Sequence, residues 1–193
     1  MDVLNPTIIG NVFDKNFYNK LCTRLKTIAK NGNYDTGFGR YTLGGDYEPL
    51  IQEALINVLP IARGVFKSET LLPSYAFFSH YEMLDEIIPS LFKHKDDNAC
   101  TYTIDFCLYQ TEPWDIYVEG KPYTLQTNQA LAMYGNEQLH WREEFPNPKE
   151  QSVGMIFFHF VEPDHWYYAK GPDYINVIQG RLTEEQWALS QMN

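Results

Sequence analysis

The amino-acid sequence predicts an α+β fold that is mainly β: a double-stranded β-helix, or jelly roll, with helices flanking it on the N-terminal side. Three observations predict it. Helical periodicity comes first along the chain and strand alternation afterwards, which gives segregated layers rather than a doubly wound α/β sheet. Aromatic residues make up 16% of the chain, an enrichment that suits strands stacked in layers. The length of 193 residues suits one sizeable core, and no repeat, low-complexity tract or linker divides it. A single domain over 1–193 is therefore expected, with helices at about 14–65, a jelly-roll core at about 72–180 and a short closing helix.

The elements follow in order. Asp14 can cap a first helix in which Phe17, Leu21, Leu25 and Ile28 recur at helical spacing, and Gly32 stands where it would stop. Asn31 to Asp46, rich in Gly, Asn and Tyr, reads as loop or short strand. A second helix starts near Glu48, with Pro49 tolerated in its first turn and Leu50, Ile51, Ala54, Leu55, Val58 and Leu59 as its apolar stripe. Pro60 is expected to kink or end it. Strands follow at Tyr75 to Tyr81 and Thr101 to Gln110. Asp115 to Val118 and Pro122 to Leu125 form a hairpin turning at Gly120. Ala130 to Tyr134 and Val153 to Val161 are further strands. Thr183 caps the closing helix, with Glu184 and Glu185 in its first turn. In Thr101 to Gln110, Tyr102, Ile104, Phe106 and Leu108 share one face and Thr101, Thr103, Asp105 and Cys107 the other. The polar face is either solvated or part of a barrel interior that takes a polar ligand.

A net charge of −10 and a pI near 4.9 argue against a nucleic-acid backbone or an anionic membrane as partner. Three cysteines, Cys22, Cys100 and Cys107, form no C-x-x-C, so neither a disulfide framework nor a structural zinc site is indicated. With no basic, apolar leader and no apolar run of membrane-spanning length, a cytoplasmic protein is expected.

His94-Lys95-Asp96 places an imidazole and a carboxylate two residues apart, on the same side of an extended backbone. A second histidine from a distant strand, such as His140, would complete a facial triad with open positions. Spacing alone favours a solvated charged loop over a metal site, because Lys93, Lys95 and Asp97 surround the pair.

The surrounding segments add a resemblance. Leu71 to Val161, about half the chain, resembles the iron(II)- and 2-oxoglutarate-dependent oxygenase superfamily, and within it the small prolyl-hydroxylase-like members of bacteria and phages. The pieces that carry it come in order: Leu71-Leu-Pro-Ser-Tyr75, Phe78-Ser-His-Tyr81, His94-Lys-Asp96, Cys100-Thr-Tyr-Thr-Ile104, Pro113-Trp-Asp-Ile116, Tyr134-Gly-Asn-Glu-Gln-Leu-His140-Trp-Arg-Glu143 and Phe157-Phe-His-Phe160.

The resemblance implies Fe(II) held by His94, Asp96 and His140, 2-oxoglutarate as co-substrate, and hydroxylation of an amino-acid or peptidyl substrate with release of succinate and CO2. Tyr81 takes the place of the tyrosine that members use on the distal carboxylate of 2-oxoglutarate. Members also carry an Arg or Lys early in the strand after the distal histidine, and Val153 to Val161 has neither. Arg142, two residues from His140, is the first substitute, since a guanidinium grips a carboxylate with two parallel donors. A surface ion pair with Glu143 or Glu144 is its alternative. Lys149, nearer the usual spacing, and His159 follow. Met83 to Pro89 replaces the Gly-rich turn of many members and is expected to fold over the site as a lid. The carboxylate at Asp96 argues against halogenase chemistry. The rivals are a non-catalytic jelly-roll binding module and a cupin-type metalloenzyme that does not use 2-oxoglutarate.

Overall fold

A computed structural model of the chain describes residues 5–178 and 180–191. Asp14 does cap the first helix: its carboxylate accepts from the N–H groups of Asn16 and Phe17 at 2.8 and 3.1 Å, and α1 runs Lys15–Ile28. α2 runs Pro49–Phe66 from an N-cap at Glu48. Glu48 is buried and also receives Arg24 of α1 at 2.9 Å, so a single carboxylate caps one helix and ties it to the other. Pro60 neither ends nor interrupts α2. It sits on the exposed face, and so does Ile56, whose carbonyl the proline leaves without its helical partner; water can satisfy that group.

Eleven strands among the described residues make two antiparallel sheets. They are β1 (Thr7–Ile9), β2 (Asn33–Asp35), β3 (Arg40–Gly44), β4 (Leu72–Glu82), β5 (Leu91–His94), β6 (Tyr102–Gln110), β7 (Ile116–Val118), β8 (Lys121–Tyr123), β9 (Gln129–Met133), β10 (His140–Arg142) and β11 (Ser152–Val161). The large sheet has the order β1-β9-β6-β11-β4-β3-β2 and the small one β5-β10-β7-β8. The molecule is thus mainly antiparallel β with a few helices, of jelly-roll type.

Period-two alternation sorts the side chains into two cores. Ile104, Phe106, Ile156, Phe158 and Phe160 leave one face of the large sheet and meet Leu21, Leu25, Ile51, Leu55 and Val58 of α1 and α2. Cys107, Leu131, Met133, Val153, Met155 and Phe157 leave the other face and meet Ile116 and Val118 of the small sheet, with Trp114 and Phe145 closing the end. The polar row Thr103 and Asp105 therefore points between the sheets, into the barrel interior and not to solvent. The β7–β8 turn has positive φ at both Glu119 and Gly120, as a two-residue hairpin of this hand requires.

Of the two readings of Asn31 to Asp46, short strand is the one the structure shows: β2 and β3 lie there and, with β1, extend the large sheet at both edges. One expectation is corrected. The strand core ends at Val161, short of 180; the chain continues as α3 (Trp166–Lys170), α4 (Ile175–Ile178) and α5 (Glu184–Ser190). α5 begins with a reciprocal capping box between Thr183 and Gln186. No helix among the described residues is long and apolar enough to cross a membrane.

Candidate metal centre

Strand register brings the distant histidine to the H-x-D pair. β10 pairs with β5 so that His140 lies directly opposite His94. Their rings are 4.3 Å apart between centroids. Asp96 follows β5 and is held by its own N–H, which donates to the carbonyl of Gly135 at 2.8 Å. Its Oδ1 is 3.4 Å from His94 Nε2 and 3.5 Å from His140 Nε2, and the three donor atoms lie within 4.8 Å of one another.

The outer nitrogens fix the tautomers. His94 Nδ1 donates to the carbonyl of Phe92 at 2.8 Å, and His140 Nδ1 donates to that of Gln138 at 2.9 Å. Both Nε2 atoms are then left with lone pairs aimed at a carboxylate oxygen. Such a cluster calls for a cation. Without a metal, protons must serve: burial works against the charge on His140, but the Asp96 carboxylate outweighs it and raises the His140 pKa. Burial also opposes ionisation of Asp96, yet the hydrogen bonds from His140 and His94 hold its pKa far below the usual range.

The triad opens on a cavity of about 300 Å³ whose walls include Tyr81, Asp105, His159 and Arg40. The Tyr81 hydroxyl accepts from Arg40 Nη1 at 3.0 Å. The His159 ring packs 4.7 Å from Tyr75 with Nδ1 3.1 Å from Thr103 Oγ1, while Nε2 has no hydrogen-bond partner.

Arg142 is not the surface residue of the ion-pair alternative. It is buried on the same side of β10 as His140, its Nη1 donating to the carbonyl of Trp114 at 2.5 Å and its guanidinium 4.9 Å over the Trp114 ring. Nε and Nη2 have no partner. Arg142 is not itself a wall of the cavity; it interacts electrostatically with Asp105 and Tyr81, which are. Glu143 instead accepts from Trp141 and, through its carbonyl, from Trp114. Lys149 stays exposed on its loop, away from the cavity. The lid expectation is also corrected: Met83 to Pro89 contains a tight turn bridged between Leu84 and Ile87 and contributes no wall, whereas Phe38 and Phe92 do. Glu162 and His165 play no part at the centre. Glu162 binds Ser68, Thr70 and Tyr102, and His165 caps α3.

Sequence reasoning missed Arg40, which lay in the stretch read as loop or short strand, and did not single out Asp105, although the alternation of β6 placed it on the polar face. Asp105 and His159 are two buried groups with opposite leanings. Burial pushes the Asp105 pKa up to about 6, against the pull of Arg142, and lowers that of His159 to about 4.

A pH prediction follows. From pH 6.5 down to 4 the unfolded chain gains a proton on His159 that the folded chain refuses, so acid removes stability. From pH 3.8 up to 6 the folded chain keeps a proton on Asp105 that the unfolded chain has lost, so base removes it. Each effect amounts to roughly 3 kcal/mol, and in the wild type they oppose each other between pH 4 and 6. Asp105→Asn removes one of them. In urea titrations of chelator-treated protein, this variant should lose roughly 3 kcal/mol more than wild type on acidification from pH 6.5 to 4. Parallel pH profiles for the two proteins would contradict it.

No protein-family model matches the chain, and no curated protein matches it. Solved structures do. HygX from Streptomyces hygroscopicus with nickel and 2-oxoglutarate bound aligns with a TM-score of 0.63 at 11% identity, over 83% of this chain and 84% of that one. The viral collagen prolyl hydroxylase from Paramecium Bursaria Chlorella virus-1 aligns at 0.58 and 9% identity, over 80% and 94%. A Pseudomonas putida prolyl-4-hydroxylase aligns at 0.58 and 12% identity, over 81% and 92%. The chain has the fold of the 2OG-Fe(II) oxygenases. In this oxygenase fold the cluster of His94, Asp96 and His140 stands at the rim between the two sheets, with β5 and β10 supplying its histidines.

Proposed function

We propose that the chain is a single-domain Fe(II)- and 2-oxoglutarate-dependent dioxygenase, its two sheets forming a double-stranded β-helix, that hydroxylates an amino-acid or prolyl-type peptidyl substrate. The observation that carries this reading is the pairing of two unsatisfied features in one barrel. At the rim, two imidazole lone pairs and a carboxylate converge, a donor set that suits Fe(II) and leaves coordination positions open. Deeper, the fully buried Arg142 has two N–H-bearing nitrogens with no partner, although a buried guanidinium ordinarily has all its donors engaged. A carboxylate would satisfy both. 2-Oxoglutarate has a keto-acid end for the metal and a second carboxylate for Arg142, with the Tyr81 hydroxyl beside it. That HygX, of similar fold, holds nickel and 2-oxoglutarate supports a metal and this co-substrate together.

His94, Asp96 and His140 would hold the iron. With co-substrate bound, the iron supplies oxidative decarboxylation to succinate and CO2 and the oxidation of a substrate C–H bond. The chain does the rest. The backbone carbonyls of Phe92 and Gln138 keep both imidazoles in the metal-binding tautomer. Phe77, Phe157 and Tyr81 line the cavity and would exclude water from it, and Arg142 would orient the co-substrate. The acidic balance fits a small or peptidic substrate better than nucleic acid, and three free cysteines fit a reducing cytoplasm.

Anaerobic titration with Fe(II) and then 2-oxoglutarate tests the reading, because a keto acid chelated to iron gives a visible charge-transfer band. Metal binding without the band would sink the co-substrate half, and no metal binding would leave a binding module. In the same titration Arg142→Lys should weaken 2-oxoglutarate by roughly 10- to 100-fold with iron affinity unchanged, the loss expected for a charge-assisted pair. An unchanged co-substrate affinity would remove Arg142 from the site.

A further inference from the structure

Asp96 belongs to two clusters of metal-ligating atoms, and the iron triad is only one of them. In the other, a carboxylate oxygen of Asp96, the Cys100 Sγ and a ring nitrogen of His159 lie within 4.8 Å of one another. Local structure builds this trio. A 3₁₀ turn at Asn98–Cys100 folds the chain back just after Asp96, and the Cys100 N–H donates to the carbonyl of Asp97 at 2.8 Å. His159 of β11 lies directly opposite Tyr75 of β4 and Thr103 of β6, so the three side chains leave the large sheet in one row. Cys100 and His159 are each only 3% exposed.

The hydrogen bonds leave the trio with donor capacity to spare. Thr103 Oγ1 has two acceptors for its one proton, the Cys100 carbonyl at 3.1 Å and Asp96 Oδ2 at 3.4 Å. It therefore accepts from His159 Nδ1–H at 3.1 Å. His159 is thus in the same tautomer as His94 and His140, and its buried Nε2 has no hydrogen-bond partner among the described residues. Native interiors rarely leave such an atom unanswered. The Cys100 Sγ is 2.9 Å from the Tyr75 hydroxyl.

The thiol decides which ion suits the trio. Burial, reinforced by Asp96, pushes the Cys100 thiol up and keeps it protonated. An oxygen-seeking ion such as Mg(II) gains nothing from it. A thiophilic ion sends the proton to solvent as its bond to sulfur forms, with no change of oxidation state, and the Tyr75 O–H then donates to the thiolate. Zinc bonds of about 2.0–2.3 Å keep tetrahedral donors within about 4 Å of one another, so the three side chains need to close by only about an ångström.

We propose that Asp96, Cys100 and His159 form a second cation site, for a thiophilic divalent ion of the Zn(II) or Cd(II) kind, and that this ion competes with iron because both need Asp96. A thiophilic ion then inhibits by withdrawing one ligand of the triad. The site itself stands apart from the oxygenase reading; the competition rests on it.

Titration of reduced, chelator-treated protein with Cd(II), followed by the ultraviolet thiolate-to-cadmium band, tests it. The band should appear in wild type, in Cys22→Ser and in Cys107→Ala, and be lost in Cys100→Ala. His159→Gln should raise the Cd(II) midpoint by about tenfold or more. His140→Ala, which lacks the triad, should keep the band. Fe(II) added first under anaerobic conditions should raise the wild-type midpoint by about threefold or more and leave that of His140→Ala unchanged. Far-UV spectra check each variant, and His159→Gln carries the test if Cys100→Ala unfolds. The site is overturned if wild type gives no band, if the band survives in Cys100→Ala, or if His159→Gln leaves the midpoint where it was. A band that His140→Ala abolishes also overturns it and assigns the ion to the iron triad. A midpoint indifferent to Fe(II), in protein that holds iron, overturns the competition. Protein that binds no iron is a separate failure, that of the oxygenase reading, and the cadmium band still decides the second site.

Discussion

Replacing His140 with alanine is expected to abolish iron-dependent succinate formation and to lower iron affinity by more than about 100-fold, beyond the range seen when only a ligand's supporting partner is lost. The physical basis is the convergence on one carboxylate oxygen. Asp96 Oδ1 sits at nearly equal distances from two imidazole nitrogens, and removing one leaves a two-donor fragment. The substitution also strips a buried carboxylate of the partner that does most to keep it ionised. The Asp96 pKa should therefore rise toward the ordinary range. Iron content after gel filtration, succinate release and a far-UV spectrum give three separate readouts. Native-like structure with lost iron is the expected result; retained iron and turnover would remove His140 from the ligand set.

The second large effect is expected at a residue that could ligate nothing. Gly135 lies between β9 and β10, and a Cβ there would fall on Asp96 Oδ2, on Thr103 Oγ1 and, at 2.8 Å, on the carbonyl oxygen of Cys100. All three belong to the scaffold that aims Asp96: Thr103 reaches Asp96 Oδ2 at 3.4 Å and the Cys100 carbonyl at 3.1 Å, and Gly135 itself takes the Asp96 N–H. One methyl group must therefore displace the carboxylate or the backbone behind it. Gly135→Ala should cost about 1–3 kcal/mol of stability, as overpacking does. It should also weaken Fe(II) binding by roughly 10- to 100-fold with every ligand still present. Gly64→Ala is the control, because nothing lies within 4 Å of its added Cβ and helix propensity favours the change. Equal iron affinity in Gly135→Ala and wild type would show that the Asp96 loop has more room than the structure gives it.

The metal cluster was legible because its signals are short in range or of fixed parity. His94 and Asp96 are two residues apart, and Thr103, Asp105 and Cys107 alternate with a plainly apolar row. Arg142 follows the same parity rule from His140. What hid its burial was the company of Glu143 and Glu144, which suggested a surface. The unread parts share a different physics. β5 and β10 have four and three residues, too few for a periodic pattern, and exist because each pairs with the other although four strands lie between them in the chain. β2 and β3 are short and Gly-flanked, and their place at the sheet edge comes from pairing with β4, far along the chain. Pro60 misled because the cost of a proline depends on whether the freed carbonyl faces water, which a helix shows only once its neighbours are in place.

The β2–β3 hairpin has one more consequence. The iron cage is assembled from β5, β10 and the turn after β5, all within the two-sheet frame, whereas Arg40 and Phe38 ride on an edge hairpin whose strands no cage residue shares. The two parts can accordingly diverge at different rates. Changes at the Phe38 and Arg40 side chains would alter the cavity wall without touching a cage residue. An engineer seeking a new substrate would graft this hairpin and leave the frame alone.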